Sequence, residues 1–183
     1  TGEEGDGASA LVRAAERAAV AAKGKGGNKV KFFRPRMRAE ARGRRALETE
    51  LRRALDWGGF VLHYQARVEL QTGRITGVEA LLRWQHPDLG LLLPGRFLSV
   101  ATAAGMMPKI GELVLRMAAQ QVKAWRDDGI LGVVVAVNLS ASQFRFTDLA
   151  HMVKEVIAEY ELDPSWLALE ITEDALIDDL ESV

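Results

Sequence analysis

The sequence predicts an α/β protein in which strands alternate with helices along the chain. From Phe60 onward, segments with the period-two pattern or continuous apolar character of strands are separated by helix-forming segments. Two strands, GVVVAVNLS and LALEIT, are almost entirely apolar, which is typical of parallel strands buried on both faces. This alternation favours either an open doubly wound sheet or a (β/α) barrel. About four such strands are present, whereas a barrel needs eight, so a barrel would be about half complete.

The composition is that of a soluble globular protein and limits the kinds of metal site. Of the 183 residues, 48% are hydrophobic and 27% are charged. The absence of cysteine excludes disulfides and thiolate ligands, and only three histidines occur, so any metal should be a hard cation on oxygen ligands. No apolar run is long enough to span a membrane, and the N-terminus lacks signal-peptide features. We therefore expect a cytoplasmic location, with an anchor upstream in a longer parent protein left open.

Residues 1–38 are interpreted as the end of a domain whose body lies upstream. Ser9–Lys23 is rich in alanine and predicts a helix, for which Ser9 is a suitable N-cap. The glycines of GKGGN end this helix, and KVKFFRP predicts a short strand that stops at Pro35. One helix and one strand cannot bury a core of their own.

Residues 39–58 are interpreted as a connector helix. The pattern predicts a helix from about Ala39 to Trp57, apolar on one face and closed by the glycine pair that follows it. This helix could be a rigid connector or one half of a dimeric coiled coil, and it is too short to decide between the two.

The charges are distributed unevenly along the chain. The segment 23–53 contains 12 Lys and Arg against three acids, a net charge of +9, while residues 54–183 carry a net charge of −8. Such a basic segment could contact nucleic acid or an acidic surface. We favour a solvated connector, because no aromatic side chain interleaves the helical arginines to stack on bases.

The α/β part begins with two strands joined by a turn. The pattern predicts strands at 60–70 and 75–84 with QTGR between them, and HPDLGLLLP as a loop. The remaining predicted elements are helices at Gly95–Ala104 and Pro108–Asp127, a strand at 132–140, a helix to Tyr160 capped by Thr147, a strand at 167–172 and a final helix.

Three of these strands carry an oxygen-bearing side chain at or near one end. Glu79 interrupts GVEALL, Asn138 ends VVVAVN and Glu170 ends LALE. A carboxylate in an apolar setting is costly without a partner, and the ends of βα strands converge on one mouth. Two carboxylates and an amide meeting there suit Mg²⁺ or Mn²⁺. A single glutamate would more often pair with Arg or Lys, but recurrence on three strands favours a metal.

Arg83 is a candidate for binding phosphate at the same mouth. By period-two alternation it shares the face of Glu79, from which a guanidinium could fork onto a phosphate. The alternative is an ion pair between Arg83 and Glu79. A metal together with an arginine points to a phosphorylated ligand.

These motifs resemble those of the EAL domain, the cyclic-di-GMP phosphodiesterase family. EALLRW is its name-giving motif, VNLSASQF is similar to its second motif and LEITE to its third, and the resemblance runs from about Leu47 to the C-terminus. Upstream, LVRAAERAAVAAKGKGGNKVKFF resembles, more weakly, the last helix and strand of a GGDEF (diguanylate cyclase) domain.

The resemblance implies a TIM-like barrel of the EAL type, of which residues 59–183 are the N-terminal half. It implies hydrolysis of cyclic di-GMP to linear pGpG with Mg²⁺ or Mn²⁺. By motif, Glu79, Asn138 and Glu170 would be the metal ligands, with Glu79 and Glu173 as catalytic residues. Gln65, in HYQA, and Arg83 match positions that contact the nucleotide.

Several departures from the family pattern bear on activity. YQP of the family reads YQA here, and its acidic AEETG segment is ATAAG, residues 101–105. The paired aspartates, lysine and later glutamate of the family fall after Val183, so we expect the 183-residue chain alone to be inactive and the parent protein to be active.

Two alternatives remain open beside the phosphodiesterase. One is a non-catalytic EAL module that binds cyclic di-GMP as a receptor, and the lower-ranked one is nucleic-acid binding through residues 23–53. A homodimer through the EAL domain or the connector helix is a further expectation.

Overall fold

The computed structural model describes residues 8–23, 35–140 and 148–171 of the chain. It divides into two compact units, Thr1–Glu50 and Leu51–Val183. Among the described residues, no helix combines the length and the apolar character needed to cross a bilayer. The order of strands and helices confirms the predicted α/β class.

The first unit contains helix α1, Ala8–Lys23, and the first part of helix α2, Pro35–Trp57. Ser9, predicted to precede the first helix as its cap, lies inside α1 instead. The strand predicted for KVKFFRP lies outside the described residues, apart from Pro35. That proline is the first residue of α2, a position that needs no N–H donor, so the helix starts four residues earlier than predicted.

The last turns of α2 belong to the second unit. Leu51 and Ala54 are buried there, at 0% and 6% exposure, which agrees with the predicted apolar face. Gly58 and Gly59 then adopt φ angles of +95° and +119°, a region that favours glycine. The amide of Gly58 donates to the carbonyl of Ala54 at 3.0 Å, so the helix ends as predicted.

The second unit is built on a mixed five-stranded sheet. Its strands are β1 (Phe60–Val68), β2 (Ile75–His86), β3 (Gly90–Leu92), β4 (Val134–Leu139) and β5 (Leu167–Ile171). The order is β1-β2-β4-β5, with β3 also paired to β2. β1 and β3 run antiparallel to β2, whereas β2, β4 and β5 are mutually parallel neighbours.

Strand β3 corrects the prediction that HPDLGLLLP is a loop. The imidazole Nδ1 of His86 accepts hydrogen bonds from the amides of Asp88 and Leu89 at 3.1 and 3.2 Å. Gly90 follows with a φ of +69°, and the chain returns antiparallel along β2. The prediction was wrong because the turn is made by a side chain that satisfies backbone donors, which a hydropathy pattern does not reveal.

The helices of the second unit are α3 (Pro94–Ala103), α4 (Met107–Asp127) and α5 (Leu149–Glu159), followed by a 3₁₀ turn, Pro164–Trp166. The cap of α5 is Asp148, whose carboxylate accepts from the amide of His151 at 3.0 Å. The predicted cap, Thr147, lies outside the described residues. Both residue types are good caps, so the pattern did not distinguish them.

The core lies between one face of the sheet and the helices. Alternate residues of β2, namely Ala80, Leu82 and Trp84, are buried, as are the corresponding valines of β4. Trp84 stacks with Phe60 at 5.9 Å between ring centroids and meets Phe97 of α3 edge-on at 5.8 Å. The residues between them therefore face the other side of the sheet, where the candidate site lies.

Candidate functional site

Three predicted site residues lie on the same sheet face of three neighbouring strands. In the parallel register Glu79 of β2 is opposite Ala136 of β4, and Asn138 is the next residue of β4 on that face. Asn138 is in turn opposite Glu170 of β5. The period of two thus brings the side chains of Glu79, Asn138 and Glu170 to one face of adjacent strands. Asn138 and Glu170 lie next to the carboxyl ends of β4 and β5, whereas Glu79 lies within β2, seven residues before that strand ends.

Glu79 is held by a direct contact with Asn138. The side-chain amide nitrogen of Asn138 donates to Oε1 of Glu79 at 2.6 Å. The side chain of Glu79 is half-buried, so the expectation of a carboxylate enclosed in an apolar strand is only partly met. The other sheet face takes the apolar neighbours of Glu79, which leaves its carboxylate with polar groups.

Sequence reasoning missed the partner of Glu170, which is Arg67. Nη2 of Arg67, on β1, donates to Oε1 of Glu170. The hydrogen bond that Arg67 donates to Glu170 raises the pKa of Arg67, and the negative charges of Glu170 and Glu79 add to that effect. The alternative weighed for each glutamate, an ion pair with an arginine, therefore occurs at Glu170.

The signal that could have identified Arg67 was present in strand β1. Gln65 is opposite Glu79 in the antiparallel register, and Arg67 lies two residues further on. Residues two apart share a face, so Gln65 and Arg67 both belong to the face that carries the predicted ligands. The exposed side chain of Gln65 is therefore placed on the site face.

Arg83 is on the same face but makes a local contact. Its Nη1 donates to the carbonyl of Leu82 at 2.9 Å. No ion pair joins Arg83 to Glu79, although both residues are described. The two residues lie four positions apart in β2, roughly 13 Å along the strand, and this spacing places Arg83 closer to the carboxyl end of the strand.

Two parts of the predicted site fall outside the described residues. Glu173, in the third motif, is one of them. The segment 141–147, which includes most of SASQF, is the other.

The donor set fits a hard divalent cation by its chemistry. Over residues 8–23, 35–140 and 148–171 no three His, Asp or Glu side chains form a cluster that could hold a metal. The candidate ligand set is instead mixed, with the carboxylates of Glu79 and Glu170 and the side-chain amide of Asn138. All of their ligating atoms are oxygen, which Mg²⁺ and Mn²⁺ prefer to nitrogen or sulfur. The residues present therefore fit such an ion, with Arg67 as the local cation beside them.

A separate cavity of about 370 Å³ lies on the helix-facing side of the sheet, between β1 and α4. It is lined by Val61, Leu62, Tyr64, Met117, Gln120, Gln121 and Ala124. Burial raises the pKa of the Tyr64 phenol to about 12, and its ring meets Trp125 edge-on at 4.9 Å. Because Tyr64 and Gln65 are consecutive strand residues, this cavity and the candidate site lie on opposite faces.

The chain is similar to known proteins over most of its length. A family model described as EAL domain matches residues 48–183. The bifunctional diguanylate cyclase/cyclic di-GMP phosphodiesterase MucR of Pseudomonas aeruginosa is 42% identical over 168 residues, a match that covers 92% of this chain and 24% of MucR. The chain therefore spans about a quarter of the length of that curated relative.

Solved structures share the same architecture. A complex of the PaMucR phosphodiesterase with c-di-GMP is 43% identical with a TM-score of 0.71, over 75% of this chain and 56% of that chain. The cGMP-bound form of the EAL enzyme Bd1971 is 27% identical with a TM-score of 0.69, over 78% of this chain and 41% of the other. These similarities confirm the predicted TIM-like (β/α) barrel class over the open doubly wound sheet.

Proposed function

The chain belongs to the EAL domain family, and on this premise we propose that it is part of a metal-dependent phosphodiesterase that hydrolyses cyclic di-GMP to linear pGpG. The observation that supports this most is the placement of Glu79, Asn138 and Glu170 on one face of three adjacent strands. Each comes from a different one of the three motifs. The relative MucR bears the name of a cyclic di-GMP phosphodiesterase.

The proposed roles follow from the chemistry of each side chain. Glu79, Asn138 and Glu170 hold Mg²⁺ or Mn²⁺ through oxygen atoms. A divalent ion held there would supply Lewis-acid polarisation of the scissile phosphate and would make a bound water more acidic. Arg83 orients a phosphate with its guanidinium, and Gln65 binds the nucleotide by hydrogen bonds. Glu173 supports the ligand set from the segment after β5.

The role of Glu79 is tested in the complete protein that carries this chain. Replacing Glu79 with Gln removes one negative ligand, and we expect formation of pGpG to fall roughly 100-fold or more. Liquid chromatography of cyclic di-GMP reactions with Mg²⁺ or Mn²⁺ measures the rate.

Glu155→Gln is the matched control, because it makes the same chemical change at an exposed carboxylate on α5. This variant should retain the parent rate. An E79Q protein that keeps more than a tenth of the parent activity would contradict the proposed metal role.

A second candidate is a non-catalytic receptor for cyclic di-GMP. The ion pair of Arg67 with Glu170 favours it, because a cation already neutralises one proposed ligand. Two measurements separate the candidates: isothermal titration calorimetry with cyclic di-GMP, and chromatography for pGpG. A receptor binds cyclic di-GMP with and without divalent metal and forms no pGpG.

We also propose that residues 1–38 are the end of a GGDEF domain. Support comes from MucR, which bears the name of a bifunctional cyclase and phosphodiesterase and aligns over 92% of this chain. The 168 aligned residues outnumber those of the EAL match, residues 48–183, so the alignment with MucR extends upstream of that match. We further propose that the protein forms a homodimer through α2 or the EAL domain. We also propose that it is located in the cytoplasm.

A further inference from the structure

We propose that Arg67 is an internal cation that occupies the carboxylate of Glu170 when no divalent metal is bound, and that it thereby sets the affinity of the site for metal. This inference rests on the proposed function, since it takes Glu170 as a metal ligand. The contact that carries it is the hydrogen-bonded ion pair between the Arg67 guanidinium and Oε1 of Glu170.

The pair joins strands that are not neighbours in the sheet. Arg67 lies on β1 opposite Gly77 of β2, whereas Glu170 lies on β5, with β2 and β4 between them. The guanidinium therefore extends over the site face. Gly77 carries no side chain at the point opposite Arg67, so nothing on β2 blocks the arginine there.

The charges explain why a cation is stable in this position. Glu79 and Glu170 bring two negative charges to one small region, and like charges at short range disfavour one another. Arg67 offsets both, because Glu170 binds it directly and Glu79 attracts it through space. A divalent cation would neutralise the same two carboxylates.

Arginine and metal consequently compete for Glu170. A carboxylate oxygen that accepts from a guanidinium has that lone pair in use, so a metal must displace the arginine or share the carboxylate with it. The pair is accessible, with side-chain exposures of 45% for Arg67 and 33% for Glu170, so displacement requires no unfolding of the strands. Arg67 is thus a positioning residue that acts through Glu170.

The competition is measured by Mn²⁺ binding to the complete protein, with free Mn²⁺ followed by electron paramagnetic resonance. Arg67→Met removes the charge and keeps much of the stem, and we expect its Kd for Mn²⁺ to be about two- to fivefold lower than that of the parent. Arg67→Lys keeps the charge and should bind Mn²⁺ with a Kd close to the parent value.

Arg74→Met is the matched control, because it makes the same charge change on the same hairpin, in the turn after β1. Its Kd for Mn²⁺ should be unchanged. An R67M protein that binds Mn²⁺ as the parent does, or more weakly, would overturn the inference. Equal tightening in R67M and R74M would also overturn it, since only net charge would then matter.

A second measurement does not depend on any variant folding. In the parent protein, the side-chain Nε–H resonance of Arg67 should shift on addition of Mg²⁺, and a resonance that stays in place would contradict displacement. The result is separable from the proposed function: tighter Mn²⁺ binding in R67M without pGpG formation would leave the inference standing and reject the phosphodiesterase. Failure of every variant to bind Mn²⁺ would reject both.

Discussion

Individual side chains on the two faces of β1 have opposite environments. Tyr64 points towards α4 and is partly enclosed, whereas Arg67 is on the open face with the candidate ligands. Burial acts on the first and ion pairing on the second, so one short strand contains two groups whose pKa values are raised for different reasons.

Tyr64 should make stability depend on alkaline pH. Its folded pKa of about 12 lies above the ordinary tyrosine value of 10.0, so the folded state keeps the phenol proton to higher pH than the unfolded state. The contribution of the neutral phenol is complete below pH 10, and stability falls as pH rises from 10 to 12. After a discount for partial exposure, we expect a loss of about 1 kcal/mol.

Urea unfolding of the parent and of Tyr64→Phe at pH 9 and pH 11.5 measures this loss. Phenylalanine does not titrate, so the stability difference between the two proteins should change with pH by that amount. A difference that is the same at both pH values would show that the Tyr64 phenol has no raised pKa.

At the scale of elements, the register of the sheet decides which residues meet. The apolar patterns that predict the three strands were enough to predict that Glu79, Asn138 and Glu170 come from three parallel strands. The alternation of side chains along each strand is a local property that can be read from the sequence. The alternation within β1 places Arg67 on the site face, but its contact with Glu170 joins residues 103 positions apart, a long-range contact that no local pattern specifies. Strand β3 was missed for a related reason, since the imidazole of His86 forms its turn.

Gly77 should be essential for the pairing of β2 with β4. A Cβ at this position would lie 2.8 Å from the carbonyl oxygen of Val134, a backbone atom that cannot move without shifting the strand. We expect Gly77→Ala to lower the free energy of unfolding by about 1–3 kcal/mol. Urea titration followed by tryptophan fluorescence measures the change.

Gly95→Ala serves as the comparison, because a Cβ there meets nothing within 4 Å and the residue lies in α3. That variant should be neutral or slightly more stable, since alanine favours helix over glycine. Equal stability of G77A and G95A would contradict the close approach of the two strands.

At the scale of the whole chain, charge is separated along the sequence. The basic segment 23–53 has a net charge of +9, residues 54–183 have −8, and the chain as a whole carries −1. Its exposed arginines include Arg42, Arg44 and Arg45 of α2. Such a segment attracts polyanions through charge alone, without base recognition.

We expect DNA binding to be weak and non-specific, with a Kd above roughly 1 μM at physiological salt. Fluorescence anisotropy with a labelled duplex at 50 and 200 mM salt measures it, and the triple variant with Arg42, Arg44 and Arg45 changed to Gln provides the comparison. Tight binding that is steeply salt-dependent and lost in the triple variant would instead support the nucleic-acid alternative.

The antiparallel direction of β1 determines where the chain joins the sheet. Phe60 is opposite Trp84, and the carbonyl of Gly59 accepts from the amide of Gln85, all at the end of β2 towards which the parallel strands run. A first strand parallel to the others would begin at the far end. The pair Gly58–Gly59, which links α2 to β1, therefore lies at the edge of the sheet formed by the carboxyl ends of the parallel strands, so the chain enters the sheet at the same edge as Asn138 and Glu170.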